Sequence, residues 1–217
     1  MASLAQQERQ ALCDTFELVG PDADTLCAGW TTRDLAAHLV LRESRPDAAI
    51  GMFVSALSSH TDSVMSSLAA QPWEQLVQTV RSGPPFLSPF RIGAIDQVAN
   101  TGEFFIHHED VLRGVDPSAR RELTSAAERE LWPVVQRMAK MTLRGVDVGV
   151  EAQSDGHGEA VLRRGSGPEQ TVTLKGAPGE ILLSIAGRAG ADGARADVEI
   201  DGPPDAVAAY RSATMGL

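Results

Sequence analysis

A chain of 217 residues is long enough to bury a sizeable core, as one large domain or two small ones. Its 43% hydrophobic and 22% charged residues are ordinary for a globular protein and exclude a disordered chain, a collagen or a disulfide-stapled miniprotein. With 19 Lys and Arg against 29 Asp and Glu, its formal charge of −10 repels phosphate backbones and anionic lipid, so no nucleic-acid or membrane partner is expected.

No apolar run approaches the roughly 20 residues that span a bilayer. The N-terminal MASLAQQERQALCDTF is polar and amphipathic, with no signal-peptide core, so the expected location is the cytoplasm. Cys13 and Cys27 form no CxxC pair and no disulfide framework, and read as inert buried thiols. The basic residues are almost all arginine, a composition associated with GC-rich genomes.

The chain opens with an amphipathic helix over 4–19, in which Leu4, Leu12, Phe16 and Val19 share a face before Gly20-Pro21-Asp22 stops it. After a loop, Thr31 or Thr32 caps a second helix carrying Asp34, Leu35, His38, Leu39 and Leu41. Pro46 opens a third, expected to run to about Ala70, and Pro72 a shorter fourth through Val80. Ser82–Pro89 is a loop by composition. A long helix is expected over 91–114, then another from Pro117 and Ser118 to Met141.

After Leu143 the period changes. Val146, Val148 and Val150 alternate, as do Val161 and Arg163, then Val172 and Leu174, with glycines between. A short helix from Pro178, a strand at Ala196–Ile200 and a last helix from Pro203 or Pro204 complete the pattern. The expected class is α+β: a helical bundle over 1–144 and a small α+β domain over 145–217.

Chemistry concentrates in Glu103-Phe104-Phe105-Ile106-His107-His108-Glu109-Asp110. Glu103 and His107, four apart, are neighbours on one helix face, and Asp110 lies on the same stripe. His108 is turned about 100° away. Such a pair also occurs as a simple surface ion pair. His38, mid-helix beside a core face, adds a third donor from a second helix, with Asp34 four residues earlier as an orienting carboxylate. Two histidines and a glutamate match the three-ligand sets of catalytic zinc sites, which leave a position open.

Cys27-Ala28-Gly29-Trp30-Thr31-Thr32-Arg33-Asp34-Leu35-Ala36-Ala37-His38-Leu39 resembles the first metal motif of the mycothiol-dependent maleylpyruvate isomerase family, among the DinB-like metal-binding four-helix bundles. Glu103-x3-His107-x2-Asp110 resembles its second motif. Thr171–Ile200 is similar to the small α+β domain, like sterol carrier proteins, that follows the bundle there. The doubled His107-His108 resembles an actinobacterial subgroup known mainly as metal-binding proteins.

The resemblance implies His38, Glu103 and His107 as ligands of a divalent metal, foremost zinc, with the thiol mycothiol as cofactor. A metal of this kind lowers the pKa of a bound thiol for attack on an electrophile. An isomerase adds the thiol to a conjugated double bond and expels it after rotation, whereas an S-transferase releases the adduct. The resemblance also points to Arg188 as the group that binds an acidic substrate or the thiol's carboxylate; by itself the residue reads first as a solvated helix-end charge. A pocket between the two domains near Gly187-Arg188 is expected to receive the thiol. The partners implied are a small-molecule thiol and an electrophilic or acidic small substrate. Metal binding without catalysis and metal-dependent hydrolysis of thiol conjugates are the alternatives.

Overall fold

The structure is a computed structural model that describes residues 2–49, 58–84, 93–188 and 196–215. It divides into two compact units, 1–119 and 120–217. The class is mixed α and β: helices in the first unit, and a four-stranded sheet with helices in the second.

In the first unit, α1 (Leu4–Val19) begins at Ser3, whose hydroxyl accepts from the Gln6 N–H while the Gln6 side chain accepts from the Ser3 N–H. Helix α2 (Thr32–Ser44) follows a closed loop. The expected helix from Pro46 to about Ala70 is described as α3 (Pro46–Ala49) and α4 (Ser58–Ala69), and Ile50, Phe53, Val54 and Leu57 lie outside the described residues. Helix α5 (Trp73–Ser82) and the long α6 (Gly93–Val115) complete the unit. Helix α1 packs along α6, and α2 against α4 and α5. Leu12, Phe16, Leu35, Leu39, Leu76 and Phe104 are sealed in this core, each at most 1% exposed.

The second unit holds α7 (Ser125–Thr142), β1 (Gly149–Ser154), β2 (Gly158–Arg163), β3 (Thr171–Lys175), α8 (Pro178–Leu183), β4 (Glu199–Asp201) and α9 (Pro204–Ser212). The sheet order is β2-β1-β3-β4, with β1 and β3 parallel and the outer pairs antiparallel. Val150, Ala152, Val172 and Leu174 point inward from the two central strands, as their alternation requires.

Several expected boundaries move. Helix α7 starts at Ser125, not near Pro117, because Asp116 closes a turn by accepting from the Ser118 N–H and hydroxyl, at 2.9 and 2.6 Å. The Thr124 hydroxyl then accepts from the Ala127 N–H as the true cap. Helix α7 packs on α8 and β2, so the expected boundary near 144 falls inside the second compact unit. Beyond α8, Ser184–Arg188 continues as a wider turn broken at Gly187, whose φ of 85° is left-handed backbone that glycine adopts without strain. Among the described residues no helix is long and apolar enough to cross a membrane.

Candidate metal centre

Helix α2 brings His38 and helix α6 brings Glu103 and His107 to one point. Glu103 Oε1 lies 3.2 Å from His38 Nε2 and 3.3 Å from His107 Nε2. All three donor atoms lie within 4.8 Å of one another. The edge of a tetrahedron with metal–ligand bonds of about 2.0–2.1 Å is about 3.3 Å long, so two of the three spacings already match a shared ion. The side chains are 14%, 11% and 12% exposed for His38, Glu103 and His107, so each is largely buried with only a small part at the surface. The donor set could therefore hold a divalent metal ion.

The neighbours orient this set. His107 Nδ1 lies 3.0 Å from Asp110 Oδ2, three residues on. A carboxylate only accepts, so Nδ1 carries the hydrogen and Nε2 faces Glu103 and His38. The Trp30 ring packs against His38 at 5.1 Å between centroids, and the His38 and His107 rings meet edge to face at 5.3 Å. Arg42 Nε stands 3.4 Å from Glu103 Oε1.

Asp34 departs from expectation. Its Oδ2 accepts from the Thr31 N–H at 2.9 Å and the Thr31 hydroxyl at 2.8 Å, at the start of α2. Its position in the first turn commits it to those orphan donors, and His38 packs on Trp30 instead. His108 turns away from the ligand set toward α1, with Nδ1 3.0 Å from Glu8 Oε2 and Nε2 3.0 Å from Thr15 Oγ1.

Cys27 is half-buried rather than fully buried, and it has partners beside the ligand set. Its Sγ donates to Asp110 Oδ2 at 3.2 Å and lies 3.9 Å from His107 Nδ1. Cys13 is fully buried, and burial pushes its pKa up to about 12. Cys27 arrives because the 20–31 loop closes on α6. The Leu26 N–H donates to the Asp110 carbonyl at 3.0 Å, and a Cβ on Gly114 would stand 2.5 Å from the Asp24 carbonyl oxygen. Only glycine permits that approach.

Charge settles accordingly. Burial disfavours the Glu103 carboxylate, but the Arg42 charge and hydrogen bonds from His107 and His38 hold its pKa well below the usual value. Burial likewise disfavours the His107 cation, yet Asp110, Cys27 and Glu103 hold its pKa well above that of an ordinary histidine.

Elsewhere, Arg188 lies in the second unit, and its Nη1 donates to the Ala186 carbonyl at 2.5 Å. His157 is only 10% exposed and lies 3.6 Å from Glu128, because the hairpin tip rests on α7. His60 is half exposed and pairs with Asp47 at 3.1 Å.

No family model and no curated protein sequence matches the chain. Among solved structures, the crystal structure of a mutant form of a mycothiol-dependent maleylpyruvate isomerase is similar over 93% of each chain, with a TM-score of 0.52 and 14% identity. At that identity the likeness is one of fold.

Proposed function

We propose that the chain is a divalent-metal-binding protein, with zinc the metal, that activates a thiol for isomerisation or S-transfer. The observation that carries this reading is the convergence of His38 Nε2, His107 Nε2 and Glu103 Oε1, with His107 aimed by Asp110. A metal held by three protein donors keeps a position open and supplies a Lewis acid that lowers the pKa of a thiol. The chain's own parts are then defined: His38 and His107 present neutral nitrogens, Glu103 one charge, and Asp110 fixes the His107 ring. The bundle is proposed to be of the DinB-like type and the second unit to be similar to sterol carrier proteins. Mycothiol is the proposed thiol, because the fold neighbour is named as dependent on it. Arg188 is proposed to bind a carboxylate of the substrate, by the match of guanidinium to carboxylate.

The test is metal analysis of the purified protein, followed by titration of the zinc-loaded protein with mycothiol. Stoichiometric metal with saturable thiol binding supports the reading. Metal without thiol affinity reduces the protein to a metal-binding one, and failure to hold a divalent metal overturns the proposal.

A further inference from the structure

Three donors surround Glu103 Oε1, and only two belong to the ligand set. The third is Arg42 Nε, at 3.4 Å. Arg42 lies on α2 one turn after His38, so both project from the same helix face. Behind it runs a chain of polar contacts. Arg42 Nη1 donates to Asn100 Oδ1, and Asn100 Nδ2 donates to Glu43 Oε1 at 2.8 Å. Glu43 is gripped by both Nη atoms of Arg9, at 2.7 and 2.5 Å.

This arrangement separates two roles that an arginine can play. Holding the Glu103 carboxylate needs only a hydrogen-bond donor, which a neutral amide supplies as well. Glu43 is gripped by Arg9, and Asn100 carries no charge, so the network fixes the place of the Arg42 guanidinium through a neutral link. A guanidinium stays protonated in any protein environment. Its distinctive contribution beside a ligand carboxylate is therefore its charge. A cation so close to a divalent ion opposes metal uptake and attracts anions to the open position.

We propose that Arg42 gives the metal centre a fixed positive charge that selects anionic over neutral ligands at the open position, at some cost in metal affinity. The inference rests on the metal reading above and names its ligand class: small substrates that carry a carboxylate or another negative charge, for which an anionic thiol serves as the probe. A single charge several ångströms away, at an effective dielectric constant of about 20, changes a binding ratio by about tenfold or more.

Cobalt(II) is the probe, since its visible absorption reports ligands entering the open position. The full-length chain is loaded with cobalt and titrated with mercaptoacetate, an anionic thiol, and with 2-mercaptoethanol, a neutral one. The ratio of the two affinities is compared among the native protein, Arg42→Gln and Arg42→Lys, so that intrinsic differences between the thiols cancel. The expected result is a ratio about tenfold lower in Arg42→Gln, cobalt affinity equal or higher in that variant, and the ratio kept in Arg42→Lys. Weaker cobalt binding in Arg42→Gln with an unchanged ratio would mean a purely structural role and overturns the proposal. So does a native protein that shows no preference for the anionic thiol, a measurement that needs no variant to fold. A native chain that takes up no cobalt overturns the metal reading and this inference together. Cobalt uptake with an unmoved ratio overturns this inference alone.

Discussion

His38 on α2 and Glu103 on α6 stand 65 residues apart in sequence and 3.2 Å apart in space. Two helices packed around one core place a nitrogen and an oxygen at the spacing that an ion with short bonds requires. The consequences are measurable at each residue of the set.

The two adjacent histidines of α6 should separate cleanly by function. We expect His107→Ala to abolish metal retention, as should His38→Ala, and His108→Ala to leave the metal in place. His108→Ala should instead cost about 2 kcal/mol of stability, because it removes a partner of the buried Glu8. Metal content and urea unfolding of each variant check this. Equal metal loss from both would put the helix phase wrong.

Proton and metal should compete at His107. Its raised pKa holds the proton on the ring to higher pH than in an ordinary histidine in the metal-free protein, and a ligand nitrogen must be free of its proton. Apparent metal affinity should therefore climb by about one log unit per pH unit until the folded pKa is passed. Stability of the metal-free protein runs the other way. The His107 contribution is complete below 6.5 and is lost as pH rises through the higher folded value. The Glu103 contribution, from a lowered pKa, is present above 4.5 and is lost as pH falls through the folded value. Isothermal titration in buffers of different ionisation heat gives the proton count, and denaturation against pH gives the stability.

Asp110 carries the orientation of His107, and Cys27 adds a donor to the same oxygen and approaches His107 Nδ1. Asp110→Asn should weaken metal binding by about 10–100-fold. Cys27→Ala should weaken it by less than Asp110→Asn does. A larger loss from Cys27→Ala would make the thiol a ligand in its own right. Competition against a chelator of known affinity resolves the two.

Gly114→Ala should be costly although the position lies off the ligand set. The new Cβ meets the Asp24 carbonyl at 2.5 Å and the Thr25 Cα at 2.6 Å, both backbone atoms that cannot step aside as a side-chain end would. Overpacking of this kind costs about 1–3 kcal/mol. The loop that carries Cys27 should lift from α6, with faster amide exchange at Leu26, whose N–H is bonded to Asp110.

Much of this was legible in the sequence where the chemistry is local. The spacing of Glu103, His107 and Asp110 follows from the helical period alone, and so does the turning away of His108. The first helix over 4–19 and the strand alternation at Val172 and Leu174 follow from the spacing of apolar residues. What escaped depends on contacts between distant segments. Cys27 reaches Asp110 only because a loop settles on Gly114, and Arg42 reaches Glu103 only because α2 lies beside α6. Asp34 had two available uses, and the helix start claimed it, since orphan N–H groups at an N-terminus are close and numerous. The start of α7 was misplaced because Asp116 and Thr124 both offer caps, and the first closes only a turn.

The most direct test of the central claim is anomalous diffraction at the zinc edge from crystals of the zinc-loaded protein. The account predicts a single strong peak between His38, Glu103 and His107, about 2.0–2.1 Å from both Nε2 atoms. A folded protein whose zinc lies elsewhere, or whose three side chains remain paired with one another beside excess zinc, would contradict it.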